Sequence, residues 1–402
     1  MNKYYPKTDN QEEVLKEICK KKINKVYGNE RKDLEERLNY ELNIIKKTDT
    51  TAIFILLNRA FTSLNIKSYK FGPRGLIGGS LVAYLCGFSN IDPVKYGLSQ
   101  YVAFGIENNF KEPDININLN IETGMRDKII NELESYDEIY KLIPARKKDL
   151  VGGFTKHPGE LFIVPKIEKF KEQDYELLIS KLETTDSHDI TEFYKLDLLG
   201  LTSIKLLEEL INTVNSNLSE LDIDNADILN YLATENYKEV FDNIPELKYE
   251  FVIKVANATK PKTFNDLVKL ISLTHGTDVW NNNAEILTKE KRANLQDVIS
   301  NRDDLFDILV SHGVSIEKSY EIMENVRKGK GYIYKGEYEE LSKKYNLPEW
   351  FSDSCFKIYY LFPRAHAISY ALIAWKLIWF KIHKTKEFNN IIEKYKREVA
   401  KE

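Results

Sequence analysis

The sequence predicts an α+β protein, with a mixed sheet-and-helix lobe over residues 1–201 and a mostly helical lobe over 202–402. Three observations predict it. Apolar residues recur at three- and four-residue steps near the start, polar and apolar residues alternate strictly over 113–120, and from Thr202 onward the pattern is helical with Pro and Gly punctuation.

Over residues 11–48, Val14, Leu15, Ile18, Ile23 and Val26, then Leu34, Leu38, Leu42 and Ile45, keep helical spacing. A further helix places Ile53, Leu56, Leu57, Ala60, Phe61 and Leu64 on one face. The glycine-dense stretch Phe71-Gly72-Pro73-Arg74-Gly75-Leu76-Ile77-Gly78-Gly79-Ser80 reads as a loop feeding the apolar helix start Leu81-Val82-Ala83-Tyr84-Leu85. Pro113 to Asn120 has the period of a half-buried strand, which puts Asp114, Asn116 and Asn118 on one face. Leu161–Pro165 and Phe193–Leu199 are short strands. The helices beyond Thr202 are punctuated at Pro245, Pro261, Gly313, Gly329-Lys330-Gly331, Pro348 and Pro363, and the last of them runs from Ile368 to Ile382.

Composition narrows the function classes. The 58 Lys and Arg against 62 Asp and Glu leave a net charge of −4, so any nucleic acid must be held by local basic patches. At 43% hydrophobic and 30% charged residues the chain can build large cores, which excludes a disordered protein. No apolar run approaches the roughly 20 residues that span a bilayer, and the start lacks a signal-peptide core; a cytoplasmic protein without membrane association is expected. Cys19, Cys86 and Cys355 are scattered, odd in number and never form a Cys-x-x-Cys pair, which supports neither a disulfide framework nor a Cys zinc site. The six histidines show no metal-ligand spacing.

Three constellations could carry chemistry. Arg74, Gly75, Gly78, Gly79 and Ser80 precede a helix, where glycine backbone N–H groups can approach phosphate oxygens; a tight structural turn explains the same glycines. Asp114 and Asp197 stand on two strands that a sheet can bring together, and Mg²⁺ takes carboxylate oxygens together with substrate phosphates; ordinary strand-edge solvation is the other reading. In the helical lobe Lys254, Lys260, Lys262 and Lys269, then Arg327-Lys328-Gly329-Lys330-Gly331, then Arg364 and His366, and last Lys376, Lys381 and Lys384 form a basic series, and Tyr332, Tyr334, Tyr359, Tyr360 and Tyr370 supply faces for base stacking. A solvated helix face competes with that reading.

Taken together, Leu34 to Leu42, the loop ending in Gly79-Ser80-Leu81-Val82-Ala83, Pro113-Asp114-Ile115, His157-Pro158-Gly159 and Lys195-Leu196-Asp197-Leu198-Leu199-Gly200 resemble the palm of bacterial DNA polymerase III alpha subunits of the PolC type. Lys260-Pro261-Lys262-Thr263-Phe264, His275 to Trp280, Ile322 to Gly331 and Phe362-Pro363-Arg364-Ala365-His366-Ala367 resemble the fingers of the same family. The likeness covers nearly the whole chain. It implies a palm like that of beta-type nucleotidyltransferases at 1–201, with a thumb reduced or absent near 124–150, fingers at 202–386 and a helical tail at 387–402. It also implies template-directed transfer of a dNTP to a primer 3′ hydroxyl, so primer-template DNA and dNTP are the expected partners, with replisome proteins as further ones.

Carried over residue by residue, Asp114 and Asp197 match two of the family's three metal-binding aspartates, which implies Mg²⁺, or Mn²⁺, on those two. The remaining catalytic position falls on Asn116. The serine that follows Arg-Gly falls on Leu76 and the next glycine on Ile77. Arg74, Gly75, Gly79, Ser80 and His157 match nucleotide- or DNA-binding positions of the palm; Lys328, Lys330, Arg364 and His366 match those of the fingers. An amide at 116 removes one negative charge from a site built for two dications about 3.5–4 Å apart, so weakened synthesis is expected. The alternative is a catalytically inactive paralogue that binds DNA, dNTP or replisome proteins as a decoy or regulator. The resemblance leaves no stretch for the family's histidinol-phosphatase-like, exonuclease, OB and clamp-binding parts, so low processivity is expected.

Overall fold

The computed structural model describes residues 3–28, 31–148, 154–215, 218 and 221–399. The chain folds into two compact units, Met1–Phe104 with Phe110–Lys205, and Gly105–Asn109 with Leu206–Glu402.

In the first unit the helices Gln11–Tyr27, Lys32–Lys47 and Thr51–Ser63 form where the apolar spacing predicts them. Among the described residues seven strands follow along the chain: β1 (Phe71–Arg74), β2 (Gly105–Ile106), β3 (Asn109–Phe110), β4 (Ile115–Leu119), β5 (Ile139–Lys148), β6 (Phe154–Pro165) and β7 (Tyr194–Gly200). Five of them make one mixed sheet in the order β1-β4-β7-β6-β5. Only the β4–β7 pair is parallel.

The alternation in β4 has its expected consequence. Ile115, Ile117 and Leu119 join Leu161, Ile163, Leu196 and Leu198 in the core beneath the N-terminal helices. The same period puts Asn116, Arg74 of β1, Asp197 of β7 and Glu160 of β6 into one cross-strand row on the opposite face. At the β5–β6 end that opposite face is covered by the helix Glu172–Thr184, whose Tyr175 and Leu182 pack on Ile143, Ala145, Phe162 and Val164.

Two sequence expectations need correction. The stretch 71–80 is not loop throughout, since Phe71–Arg74 is an edge strand; Pro73 is tolerated there because an edge residue need not donate to a ladder. β5 was not expected, and β6 is longer than the predicted Leu161–Pro165. The interval 124–150, expected as a reduced thumb, contains the helix Met125–Glu134 and β5, with 149 and 150 outside the described residues. Of the expected tail at 387–402, the helix Thr385–Val399 covers all but 400–402, which also lie outside them.

Among its described residues the second unit is helical apart from the β2–β3 ribbon, which packs against the helix Ile316–Val326. Its axis is the helix Arg364–His383, longer than the predicted 368–382, whose residues from Ala365 to Phe380 are buried on nearly every side. The helices Phe264–His275, Arg302–Ser311 and Ala226–Ala233 pack on it. Among the described residues no helix is long and apolar enough to cross a membrane.

Candidate active site

The parallel β4–β7 register sets Asn116 directly beside Asp197, and the antiparallel β1–β4 register sets Arg74 on the other side of Asn116. Arg74 reaches across the row. Its Nη2 is ion-paired with Asp197 Oδ2 and lies 3.4 Å from Asn116 Oδ1. Gly75 then turns the chain with φ +72°, a left-handed conformation that glycine adopts freely, and a Cβ there would stand 3.7 Å from Asn116 Nδ2. Burial pushes the Asp197 carboxyl above its ordinary value, while Arg74 and His157 pull it back.

His157 and Asp114 flank this row. The Nδ1 of His157 accepts from the backbone N–H of Gly159 at 3.3 Å and of Glu160 at 3.0 Å, so the ring shapes the turn that leads β6 past Asp197. Asp114 is exposed, one step before β4. The buried Tyr194 hydroxyl fixes its neighbours by donating to Pro113 O at 2.5 Å and accepting from Ile115 N at 3.3 Å. Asp114 lines a cavity of about 330 Å³ with Lys3, Glu112, His188 and Lys195.

The glycine loop divides into two parts with different fates. Arg74 and Gly75 stay at the polar row, whereas Gly79 and Ser80 are buried. The Ser80 hydroxyl donates to Glu41 Oε2 at 2.9 Å and accepts from Ala83 N at 3.0 Å. Glu41 also takes the backbone N–H groups of Leu81 and Val82, each at 3.0 Å. Arg37 completes the cap, donating to Glu41 Oε1 at 3.0 Å and to Gly79 O at 2.6 Å. The structure thus places Gly79 and Ser80, read from the sequence as nucleotide contacts, in the interior, where the Glu41 carboxylate takes the Ser80 hydroxyl and the backbone N–H groups that follow it. Glu41 had a readable signal, an acid on the stripe shared by Leu34, Leu38 and Ile45.

The second unit holds the basic residues, and it separates them as well. The Nη2 of Arg364 pairs with Asp304 at 3.0 Å and Asp307 at 2.7 Å, and its backbone N–H donates to Asp303 Oδ2 at 3.1 Å. Burial works against the Arg364 charge, but these three aspartates outweigh it and raise its pKa. Burial opposes the Asp304 charge too, yet Lys269 and Arg364 hold its carboxyl down to about 2. His366 is buried, its ring 4.5 Å from that of Phe362 and 4.6 Å from that of Tyr370. Arg364 and His366 are thus both engaged in the first turn of the long helix, Arg364 with aspartates and His366 with aromatic rings.

Lys328 and Lys330 remain at the surface. Lys328 shares Glu324 with Arg327, whereas Lys330 is exposed and has no ion pair among the described residues. The turn between them has Gly329 at φ +68° against Tyr359, and Gly331 so close to Cys355 that a Cβ would come within 2.0 Å of its carbonyl oxygen. This packing holds the turn against residues 355–359, where Phe356 and Tyr359 are exposed, as is Tyr332 just after it. Sequence reasoning missed Arg302, whose guanidinium sits 5.8 Å from the Tyr360 ring centre and whose Nε donates to Leu361 O at 3.0 Å. Burial, and then the like charge of Arg327, lower its pKa. A cation in the first turn of a helix runs against the helix dipole and was the available signal.

The metal positions test poorly. Asn116 offers an amide, Asp197 is engaged by Arg74, and no group of three or more His, Cys, Asp or Glu side chains among the described residues could hold a metal ion. The residues present do not fit the two-ion centre that the resemblance implies.

Residues 13–140 match the bacterial DNA polymerase III alpha NTPase domain, and residues 200–346 match the bacterial DNA polymerase III alpha subunit finger domain. Over 95% of its length the chain is 28% identical to a PolC-type DNA polymerase III of Caldanaerobacter subterraneus and 28% to one of Thermotoga petrophila, covering 34% and 35% of those proteins. A PolC-type DNA polymerase III of Streptococcus sanguinis is 26% identical over 94% of the chain and 33% of its own length. The chain thus spans about a third of the length of these curated relatives. The first match runs over 482 aligned positions, more than the 402 residues of this chain, so the relative carries interior residues that this chain lacks. Two domain matches in the family's order, on a mixed sheet followed by a helical unit, place the chain in the bacterial DNA polymerase III alpha family.

Proposed function

We propose that this chain is a palm-and-fingers polymerase core that binds primer-template DNA and dNTP and whose template-directed nucleotidyl transfer is weak. The palm corresponds to about 1–201, with a reduced thumb near 124–150; the fingers correspond to 202–386 and a helical tail to 387–402. The observation that carries this reading is the β4–β7 register, which lines up Asn116 with Asp197 next to Arg74 on one sheet face. We read this row as the counterpart of a phosphoryl-transfer centre in which one carboxylate is replaced by an amide. Phosphate contacts are assigned to the Gly75 turn in the palm and to Lys328 and Lys330 in the fingers, since these are solvent-accessible.

The centre's own residues account for the weakness. Transfer of a nucleotidyl group needs concentrated negative charge to hold the cations that clamp attacking and leaving oxygens. Here the row contributes two carboxylates, Asp197 neutralised by Arg74 and Glu160 standing 3.9 Å from the Lys195 ammonium. This also favours the second reading, a binding paralogue without catalysis that acts as decoy or regulator, with replisome proteins among its partners. Mg²⁺ and Mn²⁺ are the ions to try.

Primer extension by the purified chain separates the two. A slow product that disappears in Asp197→Ala supports the polymerase, and DNA binding without any product, even in Asn116→Asp combined with Leu76→Ser, supports the binder. Absence of both DNA and dNTP binding overturns the proposal.

A further inference from the structure

Asp197 presents two carboxylate oxygens, one paired and the other closed off by packing. Arg74 holds Oδ2. Oδ1 is buried with no hydrogen-bond partner and lies under the backbone of β6, where a Cβ on Gly159 would come within 2.1 Å of it. The neighbouring residue in the row, Asn116, lies 3.4 Å from the same Arg74 nitrogen and brings no charge. Arg74 and Asp197 therefore cancel, and Glu160, the other carboxylate of the row, stands 3.9 Å from the Lys195 ammonium, so two dications would add four positive charges where both carboxylates already face cations.

We propose that Arg74 is the resident cation of this centre: its guanidinium takes the place among the strand side chains that a metal ion takes in two-metal phosphoryl transfer, and it clamps β1 to β7 across β4. The inference rests on reading this row as the polymerase centre. Arg74 acts as a positioning residue, holding Asp197 beneath Gly159 and closing it to metal ions. An aspartate at 116 would by itself sit against the same guanidinium and be drawn into the pair, so restoring metal binding takes release of Arg74 as well.

Manganese binding to the full chain, read from the electron paramagnetic resonance signal of free Mn²⁺, tests the first half. In the wild-type protein Asp197→Asn leaves the Mn²⁺ isotherm unchanged. Arg74→Met combined with Asn116→Asp gains a site about tenfold or more tighter, which Asp197→Asn then removes. Loss of wild-type Mn²⁺ binding in Asp197→Asn overturns the proposal. A thermal-unfolding cycle tests the second half without any metal. Arg74→Met lowers Tm by several degrees because it strands a buried carboxylate, and adding Asp197→Asn restores most of the loss. Strictly additive losses overturn it. Loss of DNA or dNTP binding would count against the functional reading, and both of these measurements would still be readable.

Discussion

Asp303 shows how a single buried side chain couples the finger unit to pH. It is almost wholly enclosed, and burial lifts its carboxyl to about 6 although Arg364 pulls the other way. An unfolded chain releases that proton at the ordinary carboxylate value near 3.9. Between that value and 6 the folded state holds a proton that the unfolded state has lost, so stability from this group falls as pH rises across the window. The slope approaches about 1.4 kcal/mol per pH unit, and the whole effect is at most about 3 kcal/mol. Asp304 acts in the opposite sense, since its carboxyl is held below the ordinary range and its contribution is lost only as the solution becomes strongly acidic. Asp303→Asn keeps an acceptor for the Arg364 backbone N–H and removes the titration. Urea unfolding of wild type at pH 5 and pH 7.5 is expected to show the higher stability at pH 5, and the variant is expected to narrow that difference and gain stability at pH 7.5. An unchanged pH difference would show that Asp303 is not the group responsible.

At the scale of elements, close backbone approach decides which glycines matter. Gly331 abuts the Cys355 carbonyl, whereas Gly336, in the helix Lys335–Tyr345, faces open space. Gly331→Ala must push the turn away from residues 355–359 and is expected to cost about 1–3 kcal/mol, while Gly336→Ala is neutral or stabilising by up to about 1 kcal/mol. Chemical denaturation of the two variants side by side measures the contrast; equal effects would mean the turn is not packed as described. Sequence pattern reaches some of these elements and stops short of others. β4 and β7 were legible because one face is apolar and the period is two. β5 was not, because Pro144 interrupts its pattern and only its edge position excuses the missing donor. In the candidate site the residue types at 114, 116 and 197 were readable, but their register was not, since strand spacing along a chain says nothing about which residues stand opposite. The fates of Ser80 and Arg364 were hidden for the same reason. Their partners, Glu41 and Asp304, lie about forty and sixty residues away and are joined to them by tertiary packing alone.

For the molecule as a whole, a net charge of −4 opposes a polyanionic partner, so affinity for DNA has to come from those cations that are not already spent inside the fold. Arg364, Lys269 and Arg327 are spent on Asp304, Asp307 and Glu324. Lys330 is exposed and has no ion pair among the described residues. Each phosphate contact adds about 0.9 to the slope of log K against log salt, which makes the slope a count of cations in use. Lys330→Ala is expected to weaken primer-template binding at low salt and to reduce that slope by about 1. Arg364→Ala is expected to leave the slope nearly unchanged while costing about 3–5 kcal/mol of folding stability, because it abandons buried carboxylates. Fluorescence anisotropy of a labelled primer-template between 50 and 200 mM salt, run beside urea unfolding of the same variants, reads both quantities. A slope that drops for Arg364→Ala and not for Lys330→Ala would reverse the assignment, making the buried arginine the DNA contact and the exposed lysine ordinary surface charge.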